Sequence, residues 1–420
     1  MPVIRLGSLG ILRIFTKKTS PGLVYSQFSF IQRFCVSLIV LLIVQHKVYA
    51  QTDRVQKILN DLQNEQIKQN DFYFKGMFAS YRSNELRPRF AVDDNNIFFT
   101  ALIAFTLYDL FPEMTTEQRR LSAAVIENAK TSFQYFQHKG TRNTFNFWPK
   151  YPAVIFPNSI LEKTSRLQAL PDDIDDTSII LVASQTDSGV AMNVKKLMTE
   201  FSNGKNKKIQ NTFKKYRDQN AYSTWLGKKM PIDFDISVHC NFLYFNQRYG
   251  LPFNSEDSST IALIKSIIEN KEYIKHAAYV SPHYGTSSLI IYHLARLLKR
   301  FPIKELAALK PQLIRDTRNL LKQTNDDMEK VLLSTALLKF GEEASTLPPL
   351  NIDEILRNND DYPFFKASFS SMMPNLLRKM FMKLPSVNYR FFSPAFNDVL
   401  ILEYLILSQK TALSKNGAVD

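Results

Sequence analysis

The sequence predicts an all-α fold, because helical periodicity is frequent along the chain and strand periodicity is scarce. Many segments repeat apolar residues at the three- and four-residue spacing of a helix face, whereas alternating apolar and polar residues are few. Glycine, which weakens helices, accounts for only 12 of 420 residues. The clearest helical segments are residues 98–110, 261–268, 289–298, 328–338 and 399–407.

The first fifty residues differ from the rest and have the pattern of a secretory signal peptide. Basic residues precede an apolar run at 34–44, and Val48 and Ala50 provide small residues where a signal peptidase cleaves. The run has about 11 residues, fewer than the roughly 20 that a membrane-spanning helix needs. We therefore predict cleavage after Ala50, a secreted or periplasmic protein with no stable membrane span after cleavage, and one domain over residues 51–420.

Charge and cysteine content exclude further classes. Residues 1–50 contain six Lys or Arg and no acid, so cleavage would lower the net charge from +14 to +8. The remaining basic excess is dispersed except at 205–217, a run typical of a solvated loop and helix face, and we predict no nucleic-acid partner. Cys240 is the one cysteine of the predicted mature chain, so a hydrophobic core rather than disulfides must stabilise it.

A repeated arrangement appears along the predicted domain, in which a loop with polar and aromatic residues leads into a strongly apolar helix. A further apolar helix, at 328–340, has a weaker loop before it. More polar, amphipathic segments lie between the apolar ones, at 116–136, 195–213 and 303–320. Such alternation favours two concentric layers of helices. We predict a single α/α toroid of about six helical hairpins, with lead-in loops at 90–96, 171–176, 230–235, 279–285 and 389–398.

If the inner helices begin at one end of the toroid, their lead-in loops meet there around one pocket. Acidic and imidazole side chains of separate loops would then converge, namely Asp93, Asp94, Asp173, Asp175, Asp235, His283 and Asp398. The residues expected to bind a small-molecule ligand are Asp94, Trp148, Asp235, His283, Tyr284 and Asp398.

The loop at 171–176 is the densest in carboxylates, since Asp172, Asp173, Asp175 and Asp176 immediately precede the apolar run 179–183. Like charges and burial raise the pKa of clustered acids, so one of them is expected to hold a proton at neutral pH. A protonated carboxyl beside an apolar cavity can protonate an alkene or a leaving group. Acids in this position also cap a helix and complement its dipole, so a purely structural role stays open.

The segment Asp173-Ile174-Asp175-Asp176-Thr177 resembles the DxDD(T) motif of class II terpene cyclases and squalene-hopene cyclases, which have α/α toroids. The resemblance implies protonation-initiated cyclisation of an isoprenoid, with Asp175 as general acid and Asp173 and Asp176 as the neighbours that tune it. The weaker lead-in loops are similar to those of exported bacterial toroid proteins of the prenyltransferase and squalene-cyclase superfamily, whose activity is not settled. The Gln-Trp repeats of squalene cyclases do not occur in this sequence.

No metal or cofactor is predicted. The Asp-x-Cys spacing of the zinc site in protein prenyltransferases is missing around Asp235, His239 and Cys240. His239 and Cys240 are adjacent on a helix and therefore face different ways.

An alternative function is an exported glycan hydrolase or lyase, or a ligand-binding barrel without catalysis. Asp175 with Asp94 or Asp235 would supply the paired carboxylates of a hydrolase, and His283 with Tyr284 would serve a lyase as base and acid. This alternative expects exposed aromatic platforms for sugars at Trp148, Phe234, Tyr279, Tyr284 and Phe392. A deep aromatic cavity at Asp175 favours the cyclase, an open groove the glycan-active protein, and a filled barrel a non-catalytic scaffold.

Overall fold

The computed structural model describes residues 51–140, 142–158 and 170–416. Contacts divide the chain into two units, residues 1–54 and residues 55–420. The predicted signal peptide, 1–50, and its cleavage site lie outside the described residues. The second unit contains nearly all of the residues that the structure describes.

The second unit is mainly helical, as the periodicity predicts. Within the described ranges, no helix is both long and apolar enough to cross a bilayer. The helices are α1 (51–65), α2 (Phe98–Leu110), α3 (Thr116–Phe133), α4 (Ile174–Ser184), α5 (Ser188–Thr199), α6 (Ile236–Arg248), α7 (Ser255–Glu269), α8 (Glu272–Lys275), α9 (Ala277–Val280), α10 (Ser287–Arg300), α11 (Lys304–Ala307), α12 (Lys310–Gln323), α13 (Asp327–Lys339), α14 (Ile352–Asn358), α15 (Asn375–Phe381) and α16 (Pro394–Asn416).

The expectation of an all-α fold is wrong in one respect, since the unit also contains a four-stranded antiparallel sheet. Its strands are β1 (Tyr81–Asn84), β2 (Arg87–Asp93), β3 (Phe365–Ser368) and β4 (Asn388–Phe392), in the order β2-β1-β4-β3. The strands are short, and β4 pairs with β1 from the other end of the unit. Periodicity misses β1, β3 and β4 because four or five residues are too few to establish a period of two, and it misses β2 because that strand is almost entirely exposed and has no buried face.

Six helices pack in a closed cycle. Helix α2 packs on α4, α4 on α6, α6 on α10, α10 on α13, α13 on α16, and α16 returns to α2. The most apolar of the six is α2, in which every residue except Tyr108 is buried. A helix that is apolar on all sides must be covered on all sides, which this cycle achieves. We refer to these six helices as the ring.

The more polar helices pack on the outside of the ring. Helix α3 contacts α2 and α4, α7 contacts α6, and α12 contacts α10 and α13. One predicted outer helix is wrong in length, because the helix predicted at 195–213 ends at Thr199 in α5. Gly204 adopts a positive φ of 87°, and Asn203 bonds the backbone of Arg217 and Gln219, so the chain folds into a loop there.

Candidate functional site

A cavity of about 160 Å³ lies where ring helices begin and where strands β3 and β4 cover them. The starts of α2, α4 and α6, the loop before α10, the two strands and the segment 145–156 all contribute to its wall. The lining residues are Phe98, Phe147, Trp148, Ile155, Phe156, Leu170, Asp173, Asp175, Asp176, Thr224, Trp225, Val238, His283, Phe365, Ala367, Ser368, Ser371, Tyr389 and Phe391.

Eight of the 19 lining residues are Phe, Trp or Tyr, the largest group in the wall. The rings of Phe147 and Phe365 stack with centroids 5.4 Å apart, and Phe391 meets Phe147 edge-on at 5.3 Å. In the sheet, Phe365 is paired with Phe391 and Ala367 with Tyr389. Because strand residues two apart share a face, all four side chains point to the same side of the sheet, which is the cavity side. The sheet therefore provides the cover of the cavity.

The acids of the DxDD segment form the polar part of the wall. Asp173 is the N-cap of α4, since its carboxylate accepts a hydrogen bond from the backbone N–H of Asp176 at 2.8 Å. The backbone of the same segment is fixed by bonds from Ile174 N to Thr224 O and from Leu226 N to Asp172 O, at 2.9 and 2.8 Å. Asp173, Asp175 and Asp176 are only 5%, 4% and 2% exposed. We call these three residues the acid trio.

Asp175 receives a hydrogen bond on each carboxylate oxygen. Asn241 Nδ2, from α6, donates to Oδ1, and the hydroxyl of Tyr284 donates to Oδ2, both at 2.6 Å. Burial raises the pKa of Asp175 to about 6, against the two donors, which lower it. Asp175 is therefore mostly ionised at neutral pH.

Asp173 and Asp176 are poorly compensated in comparison. Burial and the nearby charge of Asp175 raise the pKa of Asp173 to about 7. Burial, then the charge of Asp173, raises the pKa of Asp176 well above its usual value. Oδ1 of Asp176 is buried and accepts no hydrogen bond from the described residues. At neutral pH this pair retains a proton.

Asp172 stands in the same segment but is neutralised. Lys150 Nζ lies 2.6 Å from its Oδ1, and the hydroxyl of Thr144 donates to its Oδ2. The fourth carboxylate of the segment thus belongs to an ion pair rather than to the cavity, whose wall it does not join.

A histidine pair lies on the α10 side of the cavity. His283 Nε2 lies 2.8 Å from Asp233 Oδ2, and Asp235 accepts from the backbone N–H of His283 at 2.8 Å. Burial favours neutral imidazole, but the hydrogen bond and charge of Asp233 raise the pKa of His283 above its usual value. Asp235 also caps α6 by accepting from Ser237 N and Val238 N.

Of the residues predicted from sequence, five line the cavity: Trp148, Asp173, Asp175, Asp176 and His283. Three more lie one hydrogen bond behind the wall. Tyr284 bonds Asp175, Asp235 bonds the His283 backbone, and Asp94 accepts from Trp148 Nε1 at 2.8 Å while it pairs with Arg82 at 2.9 Å.

Asp93 and Asp398 do not lie at the cavity. Asp93 is exposed at the end of β2. Asp398 bonds Asn359 Nδ2 at 2.8 Å, because α16 begins at Pro394 and places Asp398 more than one turn inside the helix. Burial raises the pKa of Asp398 to about 6, but it acts away from the acid trio.

The exposed aromatic platforms expected for a glycan site are not observed. Trp148, Phe234, Tyr279 and Phe392 are between 3% and 6% exposed, and Tyr284 is fully buried. They are buried because their loops pack on the ring and under the sheet instead of projecting into solvent.

Sequence reasoning gives no role to several residues of the site. Asn241 and Arg296 are buried polar residues of ring helices, and a buried polar side chain indicates a hydrogen-bond partner inside the protein. Trp225 lines the cavity, and its buried Nε1 donates to no acceptor among the described residues. The strand residues Phe365 and Phe391 could not be predicted as lining residues, because their positions depend on pairing between separate segments.

The described residues contain no group of three or more His, Cys, Asp or Glu side chains arranged to hold a metal ion. His239 Nε2 instead bonds the carbonyl of Tyr222 at 2.8 Å, and Cys240 is a buried free thiol. No protein-family model, curated protein or solved structure matches this chain. The function must therefore be argued from the cavity itself.

Proposed function

We propose that the ring and its outer helices form an α/α toroid whose cavity binds an apolar ligand group and protonates it, in the manner of class II terpene cyclases. The observation that carries this proposal is the acid trio, which stands in the wall of an aromatic cavity with raised pKa values. The Asp173–Asp176 pair, which retains a proton at neutral pH, is suited to proton donation.

The aromatic wall suits the next stage of such a reaction. Protonation of an alkene makes a carbocation, which the faces of Trp and Phe rings attract and which water would quench. Trp148, Phe147 and Phe98 border the same space as the acids. Proton donors and cation-stabilising surfaces are thus adjacent.

The size of the cavity limits the ligand. An apolar cavity of about 150 Å³ holds one benzene molecule, and this cavity has about 160 Å³. It accommodates the reacting end of a small isoprenoid, and the rest of a longer chain would have to extend past the half-buried rim residues Trp225 and Tyr389.

Ligand binding without catalysis is the second candidate, because Asp173 already has a structural role as the N-cap of α4. The glycan hydrolase or lyase stays a prediction without support from exposed rings. Export after cleavage at Ala50 remains part of the proposal.

The test combines binding and proton transfer. The protein is incubated in D₂O with prenyl alcohols of increasing length and, separately, with a panel of oligosaccharides, and deuterium incorporation and products are measured by mass spectrometry. We expect deuterium in an isoprenoid with wild type and at least a 100-fold loss with Asp176→Asn, as when a general acid is removed. Asp175→Asn should also lower the incorporation, because it removes the carboxylate beside the developing cation. Binding that is equal in all three proteins, with no deuterium in any isoprenoid, would establish a non-catalytic binder. Turnover of an oligosaccharide would replace the cyclase proposal by the glycan one.

A further inference from the structure

The three carboxylates of the acid trio differ in their hydrogen bonds, and the difference can be traced to a buried arginine. Arg296, on α10, is 1% exposed, and its Nη2 donates to Oδ1 of Asn241. Its guanidinium also lies over the rings of Phe105 and Tyr292, 4.6 and 5.4 Å from their centroids. Arg296 is thereby held in place inside the ring.

This contact fixes the orientation of the Asn241 amide. An arginine has only donors, so the Asn241 atom that faces it must be the carbonyl oxygen. The amide NH₂ then points the other way, to Oδ1 of Asp175 at 2.6 Å. That oxygen accepts the hydrogen bond, and a donor aimed at a carboxyl oxygen stabilises the ionised form of the group.

The second oxygen of Asp175 is constrained in the same sense. The hydroxyl oxygen of Tyr284 lies 3.2 Å from Asn241 Nδ2, which donates to it. The Tyr284 proton is then free to point to Asp175 Oδ2 at 2.6 Å. Both oxygens of Asp175 accept hydrogen bonds in this arrangement, which stabilises its ionised form and favours Asp173 or Asp176 as the holder of the proton.

Asp176 has the opposite environment. It lines the cavity, is 2% exposed, and has an Oδ1 that no described residue bonds. Asp173 is committed to the N-terminus of α4, where its carboxylate accepts from Asp176 N. The other charged groups around the trio are already engaged: Asp172 with Lys150, Asp233 with His283, and Asp235 with the His283 loop.

We propose that Asp176, paired with Asp173, is the proton donor of this site, and that Asp175 is a fixed anion oriented by Arg296 through Asn241. Arg296 and Asn241 are positioning residues. The chemical role rests on the proposed function: the O–H bond of Asp176 breaks, the π electrons of the ligand form the new C–H bond, and the resulting cation faces the Asp175 carboxylate. The cation then loses a proton from a neighbouring carbon to the Asp176 carboxylate, the C–H electron pair forms the new double bond, and Asp176 is again protonated.

The test needs no ligand, so its failure is distinct from a failure of the proposed function. Infrared difference spectra between wild type and each variant, recorded on the whole protein between pH 4 and 9, report the carboxylic acid C=O stretch. At pH 8 we expect a protonated carboxyl band that Asp176→Asn removes and Asp175→Asn retains. Loss of the band in Asp175→Asn and its retention in Asp176→Asn would overturn the assignment, as would a wild type without the band.

The positioning role has its own variants. Asn241→Leu and Arg296→Met are each expected to raise the pH midpoint of Asp175 ionisation by about one unit, because a donor or its orientation is lost. Asn246→Leu is the matched control, since Asn246 is a buried amide of the same helix that bonds Asp257 rather than the trio. An unchanged midpoint in Asn241→Leu, or an equal shift in Asn246→Leu, would refute the positioning role even if Arg296→Met does not fold.

Discussion

Asp172 and Asp173 are neighbours in sequence but have opposite electrostatic environments. Asp172 is paired with Lys150 at 2.6 Å, whereas Asp173 faces the carboxylates of Asp175 and Asp176. The structure thus separates, within five residues, one acid with an ion-pair partner from three acids without one among the described residues. Uncompensated buried charge at a functional site lowers stability, and the cost depends on pH.

Asp173→Asn should stabilise the protein at pH 8 and not at pH 4. Burial, with Asp175, raises the folded-state pKa of Asp173 to about 7, so the folded state binds its proton more tightly than the unfolded state. The corresponding stability is present below the unfolded pKa of about 4 and is lost as pH rises to about 7. Asn keeps the N-cap. Urea denaturation should show a gain of about 2–4 kcal/mol at pH 8.

Asp172→Asn is the control for this measurement. It leaves Lys150 buried without its partner, so we expect destabilisation by about 3 kcal/mol or more at pH 8. If both substitutions lower the free energy of unfolding equally at pH 8, the assignment of an uncompensated charge to Asp173 is incorrect.

At the scale of elements, the sequence predicts those parts whose cause is local. Residues 98–110 are predicted as one helix because every turn is apolar, and the structure has α2 at those residues. Asp173 and Asp235 stand in loops that are predicted to lead into apolar helices, and both cap helices. The sheet escaped prediction because β3 and β4 are defined by pairing with distant strands rather than by a local pattern.

The same distinction explains which site residues were found. The acids and His283 stand in lead-in loops next to helices that begin at the cavity, so a pattern in the sequence marks them. Asp398 was misplaced by the same reasoning because Pro394 starts α16 earlier than the apolar pattern suggests. The aromatic residues that cover the cavity lie on strands, and no loop-and-helix pattern in the sequence indicates them.

The cover of the cavity gives a prediction for strand β4. Phe391 is fully buried and contacts Phe147 and Phe365 at centroid distances of 5.3 and 5.7 Å. Phe391→Ala should lower the free energy of unfolding by about 3–5 kcal/mol. It should also enlarge the cavity and admit longer ligands in the isoprenoid panel.

Phe90→Ala is the matched control in the same sheet, because Phe90 on β2 is 75% exposed. Its effect should stay within about 0.5 kcal/mol. A small effect of Phe391→Ala, together with an unchanged ligand range, would show that β4 does not cover the cavity.

At the scale of the whole ring, the acid trio at one end and the buried charges at the other end differ in their ion-pair partners. At the end where the helices begin, the acid trio has no basic partner within ion-pair distance among the described residues. At the other end, Asp109 pairs with Arg300 at 2.7 Å, and Lys339 pairs with Glu403 at 2.7 Å. Burial acts to raise the pKa of Asp109, but the charges of Lys339 and Arg300 outweigh it and lower this pKa to about 2.

This contrast predicts that a substitution at the ion-paired end of the ring changes stability without changing ligand binding at the other end. Lys339 is fully enclosed, so Lys339→Met strands the buried carboxylate of Glu403 and should lower the free energy of unfolding by about 3–5 kcal/mol. Lys339→Met combined with Glu403→Leu should recover most of this loss, because an apolar pair replaces the ion pair. Ligand affinity and the infrared band of Asp176 should stay unchanged in both. A change in that band would show that the two ends of the ring are electrostatically coupled. We expect no coupling, because the charge of Lys339 is already neutralised by Glu403 and Asp109.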